Sequence, residues 1–345
     1  VSLRIFRVGE PYRSHARAAD AYAEVIRRHS RGLATFVDDP DDADVSLIHM
    51  EADKVPPLLR AVPSLKRTYR IGYFVWEADR SPPARIEGMA AVDEVWTASL
   101  YNWRTFSSEH PQVHWIPHIT GDTVRATADD MAAMAQRLNV GAQHFCVLNI
   151  GHHVARRKNV PALERAFAYL HGRHPEARLI LKTTASDSEM KVVHRGPVIW
   201  IYGTLTDSEV AALYGLAQVY ASPHCSEGWG LTLTDAMQHG VLTLATAYSG
   251  NMEYMTPANS LLLRHTPSTI RSRDLYRPFT PEMRWAYPHL EHLEAQLLQA
   301  YDRVRAGTHL TAIAQAKRDL RRFDARHIAV LVRARLHDIA SRTRA

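Results

Sequence analysis

Two doubly wound α/β domains are the fold that this sequence predicts, and three observations carry the prediction. Short apolar runs alternate with amphipathic segments, the pattern of βαβ units around parallel sheets. That series occurs twice, interrupted by a polar, alanine-rich stretch between Pro117 and Gln143. The 345 residues are enough for two domains with a core each.

In the first series, Leu3 to Val8, Val45 to His49, Tyr69 to Val75, Glu94 to Thr97 and Val113 to Ile116 read as short buried strands. Helices are expected at His15 to His29 and Ser99 to Phe106. The second series has strands at Phe145 to Ile150, Ala177 to Lys182, Val198 to Tyr202, Val219 to Ala221 and Val241 to Ala245. Its helices are Pro161 to Arg173, Asp207 to Tyr214 and Leu231 to Gln238, with Asn159 as a cap for the first. In such sheets ligands bind outside the carboxyl ends of the strands, here with a crevice expected between the domains.

Composition excludes several classes. Forty-six per cent hydrophobic and 23 per cent charged residues describe an ordinary globular protein. No run approaches the ~20 apolar residues of a membrane span. The opening residues lack the apolar core of a signal peptide, so a cytoplasmic location is expected. Two cysteines, Cys146 and Cys225, imply no disulfide. Residues 303–345 hold eleven Lys and Arg against three Asp, a net +8, which leaves −2 on the other 302. Apolar residues recur there at helical spacing (Ile328, Leu331, Val332, Leu336, Ile339), which gives a docked helix with a solvated basic face. Arg335 interrupts that stripe and keeps a second reading open, a peripheral contact with the inner membrane face. Nucleic-acid binding is not expected, because no zinc-finger spacing or aromatic RNA-binding motif occurs. The acidic run Asp38-Asp39-Pro40-Asp41-Asp42 reads as an exposed turn, and no metal is expected.

Chemistry concentrates in Ser222 to Met255, SPHCSEGWGLTLTDAMQHGVLTLATAYSGNMEYM. Glu227 precedes Gly228-Trp229-Gly230, a turn that lets backbone approach a ligand, and Leu231 begins a helix closed by Gly240. The first N–H groups of such a helix have no internal partner and favour a phosphate or diphosphate. Asp235 follows Glu227 by eight positions, and a carboxylate can accept two hydroxyl hydrogen bonds. Two carboxylates flanking an anion site suit a nucleotide sugar. Asp235 has a second reading, a pair with His239 one turn on.

The pattern E-G-x-G-L, then an acidic residue, Ala-Met, a glycine, a buried strand and S-G-N resembles the donor site of the retaining GT-B glycosyltransferases of the GT4 type. The resemblance implies a GT-B fold of two Rossmann-like domains. Expected boundaries are 1–120 for the acceptor side, 121–322 for the donor side and 323–345 for a last helix crossing back, with Arg326 to Ser341 as that helix. It implies that Glu227 contacts the donor sugar and Asp235 the ribose, in a place where the family usually has Glu. Gly228, Trp229, Gly230 and Leu231 join the donor site, as do Gly250, Asn251 and Glu253, with Tyr202 near the base. Arg157-Lys158 resembles the family's diphosphate-binding pair. Cations at a helix start oppose the dipole, so a bound anion there accounts for them, while Arg156 is assigned to the surface. His152 and His153 are too close in sequence for a metal pair, and one of them is placed near the diphosphate.

On the acceptor side, the family's glycine pair after the first strand corresponds to Gly9-Glu10-Pro11-Tyr12, and Gly9, Trp76 and Glu77 are the candidates. For Trp76, core packing is the other reading. Runs at Ile71 to Pro82 and Val92 to Phe106 resemble polysaccharide-assembly members. The implied function is transfer of a hexose from a nucleotide-diphosphate sugar to a hydroxyl of a glycan or lipid-linked saccharide, without metal or cofactor. GDP-mannose is preferred over UDP-hexose because S-G-N resembles mannosyl-type enzymes. The alternatives are a nucleotide-sugar epimerase or hydrolase on the same fold, and a non-catalytic GT-B-like assembly subunit.

Overall fold

Apolar runs of four to seven residues, buried on both faces, become parallel strands in two separate sheets. The structure is a computed structural model that describes residues 2–10, 13–121, 123–183 and 189–342. Pro11 and Tyr12, of the loop after the first strand, lie outside these. The chain forms two compact units, Val1–Gly121 with Arg321–Ala345, and Asp122–Leu320.

The first unit contains β1 (Leu3–Gly9), α1 (Arg13–His29), β2 (Ala34–Val37), β3 (Val45–His49), α2 (Val55–Ala61), β4 (Tyr69–Tyr73), α3 (Pro83–Ala90), β5 (Glu94–Thr97), α4 (Leu100–Ser107) and β6 (Val113–Trp115). Its six strands are all parallel in the order β2-β1-β3-β4-β5-β6. The order reverses between β1 and β3, and Gly9, His49 and Tyr73 lie side by side at the carboxyl ends. Ser99 caps α4 by accepting the Asn102 N–H at 3.2 Å.

In the second unit come α5 (Ala128–Leu138), β7 (Phe145–Gly151), α6 (Val160–His171), β8 (Ala177–Thr183), β9 (Lys191–Arg195), β10 (Val198–Tyr202), α7 (Asp207–Leu216), β11 (Val219–Ser222), α8 (Leu231–His239) and β12 (Leu242–Thr246). They are followed by β13 (Leu261–Leu263), the hairpin strands β14 (His265–Thr269) and β15 (Arg284–Pro288), α9 (Leu290–Arg305) and α10 (His309–Leu320). The main sheet runs β13-β12-β11-β7-β8-β10-β9, parallel except for the edge strand β9. Its order reverses at β7, so the loops after β7 and β11 meet at a switch point. Val147, Leu179, Leu181, Val219 and Leu244 fill the core with Leu163 and Phe167 of α6 and Leu293 and Leu297 of α9. Thr127 with Asp130 and Thr206 with Glu209 form capping boxes at the starts of α5 and α7.

The last helix, α11 (Ala325–Arg342), belongs to the first unit and packs on α1. Ile328, Val332, Leu336 and Ile339 of its apolar stripe are buried and Leu331 is half-buried, and Arg335 continues that face instead of breaking it. The Arg335 guanidinium reaches Glu94 at 2.5 Å and Asp338 at 2.9 Å, and Glu94 is completely buried. Glu94 also accepts from Trp96 Nε1 at 2.6 Å and Tyr69 OH at 3.0 Å. The charge in the stripe therefore answers a buried carboxylate, which removes the observation that favoured a lipid surface. Among the described residues no helix is long and apolar enough to cross a membrane. The acidic run at 38–42 forms an exposed turn, capped by Asp39 and tied to Arg67 through Asp41.

Candidate active site

The site is assembled by three loops of the second unit: 151–159 after β7, 222–230 after β11, and 246–254 after β12. Residues 221–229 are all buried, so each backbone polar group of this loop needs a partner. Asn159 Nδ2 donates to Pro223 O at 3.0 Å, and Cys225 N–H donates to Arg157 O at 2.7 Å. Ala286 N–H on β15 donates to Cys225 O at 2.9 Å, and Arg157 Nη1 to Ser226 O at 3.1 Å. Glu227 N–H donates to Ser249 Oγ at 2.7 Å, and Gly250 N–H to Glu227 O at 2.8 Å. Tyr254 OH completes the set, lying 2.7 Å from Trp229 O and 3.0 Å from Gly230 O. The loop that carries Glu227 is thus fixed from both sides.

Two cations converge on Glu227. Lys158 Nζ lies 2.5 Å from Oε1 and Arg157 Nη1 3.1 Å from Oε2, with the carboxylate 8% exposed. Burial alone would raise this carboxyl, but Lys158 and then Arg157 overcome it and hold it at about 2. Arg156 is exposed, whereas Arg157 and Lys158 are half-buried. Asn159 stands at the α6 N-cap with φ of 54°, yet its side chain makes no cap bond and holds Pro223 O instead. One net positive charge remains on the triad, next to the start of α8, whose N-cap Gly230 adopts φ of 92°. Residual positive charge beside a helix start is the arrangement that favours an anion.

Other candidates fall into different positions. Asp235 is buried on α8, and burial pushes the neighbouring phenols Tyr220 and Tyr254 up, with the charges of Glu227 and Asp235 raising them further. His239 stacks on Tyr214 with centroids 4.9 Å apart. Glu253 is half-buried, Leu231 half-buried at the start of α8, and Tyr202 stacks on Trp200 at the end of β10. Gly250 is where glycine is required: a Cβ there would lie 2.0 Å from Gly228 O and 2.7 Å from Trp229 N. Three expected ligand contacts need correction. Trp229 is buried against Tyr254, whose OH also donates to its carbonyl at 2.7 Å, so its ring packs inside the loop. Asn251 has no exposure, and both polar atoms of its amide are engaged, with His224 at 3.1 Å and Thr246 O at 2.9 Å. Trp76, in the first unit, is core: its ring lies under the Arg85 guanidinium at 4.4 Å and its Nε1 donates to Arg80 O at 2.7 Å. Gly9 is exposed at the end of β1, and Glu77 is half-buried.

His153 is the member of its pair that turns inward, while His152 is exposed. Its Nε2 is 2.9 Å from Asn149 Oδ1, and burial with Lys158 and Lys182 nearby lowers it to about 3. His224, which the sequence reading did not single out, is fully buried beside Glu227 and lowered to about 4, chiefly by burial. Only its place three residues before Glu227 marks it in the sequence. Among the described residues no group of three or more His, Cys, Asp and Glu is arranged to hold a metal ion.

Residues 144–270 match the family model described as glycosyl transferases group 1. No curated protein matches the chain by sequence. Solved structures match it by fold. Anabaena HepE in complex with UDP and glucose superimposes with a TM-score of 0.69 at 12% identity, over 98% of this chain and 100% of that one. Sucrose-phosphate synthase from Thermosynechococcus elongatus gives 0.59 at 16% identity, over 96% of this chain and 80% of that one. The pneumococcal O-GlcNAc transferase GtfA, in complex with UDP and GlcNAc, gives 0.59 at 12% identity over 86% of this chain, which spans 57% of that protein's length. The fold is the GT-B fold, two Rossmann-like domains, and the segment from 144 to 270 is similar to the group 1 glycosyl transferases.

Proposed function

We propose that this protein is a retaining glycosyltransferase of the GT4 type that transfers a hexose from a nucleoside-diphosphate sugar to a hydroxyl of a glycan or lipid-linked saccharide. The observation that carries this reading is the Lys158–Glu227–Arg157 triad at the N-terminal end of α8. Two cations on one carboxylate leave a net charge for the diphosphate, and the carboxylate remains ionised to receive sugar hydroxyls. During transfer the bond between the anomeric carbon and the β-phosphate oxygen breaks, and a bond to the acceptor oxygen forms on the same face. The acceptor's proton passes to the departing phosphate, so no side chain need act as a strong base. Negative charge grows on that phosphate, where Arg157, Lys158 and the first N–H groups of α8 stabilise it most. Asp235 takes the ribose hydroxyls.

UDP replaces GDP as the preferred carrier. Several GT-B neighbours contain UDP, whereas the preference for GDP-mannose rested on Ser249-Gly250-Asn251, whose asparagine is buried with both amide atoms engaged within the protein. Thermal unfolding with UDP, GDP, ADP, CMP and dTDP, free and as sugars, tests the reading. A ligand at a hundred times its Kd adds about 2.7 kcal/mol, which shifts Tm by a few degrees in a chain of this size. A shift with UDP that disappears in Lys158→Ala is expected; no shift with any nucleotide would reject the donor site.

A further inference from the structure

We infer that His224 and Asn251 are positioning residues for Glu227, acting as one unit through the hydrogen bond that joins the loop 222–230 to the turn at 249–253. The inference rests on the reading of Glu227 as the donor-site carboxylate. Asn251 Nδ2 donates to Thr246 O at 2.9 Å, so its Oδ1 is the acceptor that faces His224 Nε2 at 3.1 Å. Nε2 therefore carries the proton. Nδ1 keeps its lone pair and accepts from Ser222 Oγ at 3.0 Å. Every polar atom of the two side chains has a partner, and neither residue has any solvent exposure. Neither offers an atom to a sugar.

The linkage controls where Glu227 stands. His224 anchors the root of the loop to the turn, three residues before the carboxylate. The same turn then holds the Glu227 peptide on both sides, through Ser249 Oγ at 2.7 Å and Gly250 N–H at 2.8 Å. Ser249 adopts φ of 73°, a left-handed conformation that a serine keeps only where its surroundings impose it. Burial keeps His224 neutral to about pH 4, with Glu227 favouring the charged form and Lys158 and Arg157 opposing it. A neutral imidazole leaves the carboxylate to its two cations. Catalytic groups tolerate little displacement, and a shift of about 1 Å can cost on the order of a hundredfold in rate.

The test uses the full-length chain with His224→Ala, Asn251→Ala, the double variant, His224→Gln and His224→Asn. The glutamine amide nitrogen can occupy the Nε2 position and donate to the same oxygen, whereas asparagine is too short. Each alanine variant should lower kcat by roughly 30- to 100-fold while nucleoside-diphosphate affinity changes less than about threefold. The double variant should be no worse than either single one. His224→Gln should restore most of the rate and His224→Asn should not. At neutral pH, the Glu227 amide resonance should move in both alanine variants and return in His224→Gln, with the His224 nitrogen spectrum showing the Nε2–H tautomer only while Asn251 is present. A silent His224→Ala beside an inactive Asn251→Ala would overturn the inference in favour of direct sugar contact. An unmoved Glu227 resonance would overturn it as well. Absence of transfer by the unmodified chain would reject the glycosyltransferase reading alone, because the spectra still decide the linkage.

Discussion

Both units present the carboxyl ends of a doubly wound sheet, but their charge is arranged in opposite senses. In the second unit two cations, Arg157 and Lys158, share one carboxylate, Glu227. In the first, one buried cation, Arg85, faces two carboxylates, Glu51 directly and Asp53 at 3.7 Å. Beside these charges and the Lys54–Glu10 pair lies an uncharged cluster: His49 stacks on Tyr73 at 4.6 Å, and Tyr73 OH lies 2.9 Å from Tyr22 OH and 3.2 Å from His118 Nδ1. Burial lowers both imidazoles, that of His118 to about 3. Under the proposed function, the cation pair of the second unit is what draws the diphosphate there. One fold topology thus supports two chemistries, and the difference comes from which charges the loops bring to the strand ends.

The comparison breaks most visibly at Lys158. Lys158→Ala should lower transfer by about a hundred- to a thousandfold, or roughly 2.7 to 4 kcal/mol of transition-state stabilisation, because the developing phosphate charge loses a fixed donor. The matched variant in the first unit, Arg85→Met, should leave nucleotide affinity within about twofold and reduce stability instead. Isothermal titration with the preferred nucleotide, alongside steady-state kinetics, separates the two. Equal loss of nucleotide binding in both variants would show that the charge asymmetry does not select the donor.

Arg335→Ala comes next. Glu94 has no exposure, and removing its guanidinium partner leaves a buried carboxylate held by Trp96 and Tyr69, with His114 Nε2 at 3.7 Å. Breaking a buried pair of this kind costs about 3 kcal/mol. Denaturant unfolding should show that loss, while Glu94→Gln, which keeps hydrogen-bonding capacity and removes the charge, should cost less. Nucleotide affinity should not change in either, since both residues belong to the first unit. A stable Arg335→Ala protein would mean that α11 is held by its apolar stripe alone.

How much of this could be read in advance depended on whether the physics was local. β3, β5 and β10 were legible to the residue, because Val45–His49 and Glu94–Thr97 bury every side chain and Val198–Tyr202 alternates buried Ile199 and Ile201 with half-buried neighbours. The hairpin β14–β15 and the edge strand β9 were not, since Lys191–Arg195 and His265–Thr269 are mostly polar and part-exposed. Helices α9 and α10 were passed over, although Leu293, Leu297, Ala300 and Tyr301 recur at helical spacing. In the site, Lys158 and Arg157 stood out because cations oppose the dipole at a helix start, and Glu227 because glycines follow it. Asn251, Trp229 and Trp76 gave no such signal. Their burial is decided by Thr246, Tyr254 and Arg85, which contact them only after folding. Arg335 was visible as an anomaly in an apolar stripe, but its explanation, Glu94, lies 241 residues away.

The finest comparison is made by acid. His118 is neutral in the fold at about 3 and has an ordinary value near 6.5, so between these values the unfolded chain binds the extra proton. Its contribution is therefore complete above pH 6.5 and is lost as pH falls toward 3. Glu227 behaves differently: at about 2 against 4.5 it supports the fold above pH 4.5 and fails only below that. Between pH 7 and pH 5 the histidines alone should destabilise the protein, His118 by about 2 kcal/mol. His118→Gln should remove that share, with unfolding free energy falling less steeply over those two pH units than in the unmodified chain. His15 and Arg17, whose charges also lower His118, should make its substitution matter more than that of an exposed histidine such as His152. If His118→Gln and His152→Gln gave parallel pH profiles, the uncharged cluster at the strand ends of the first unit would take up protons in the folded state, and the contrast between the two units would not survive acid.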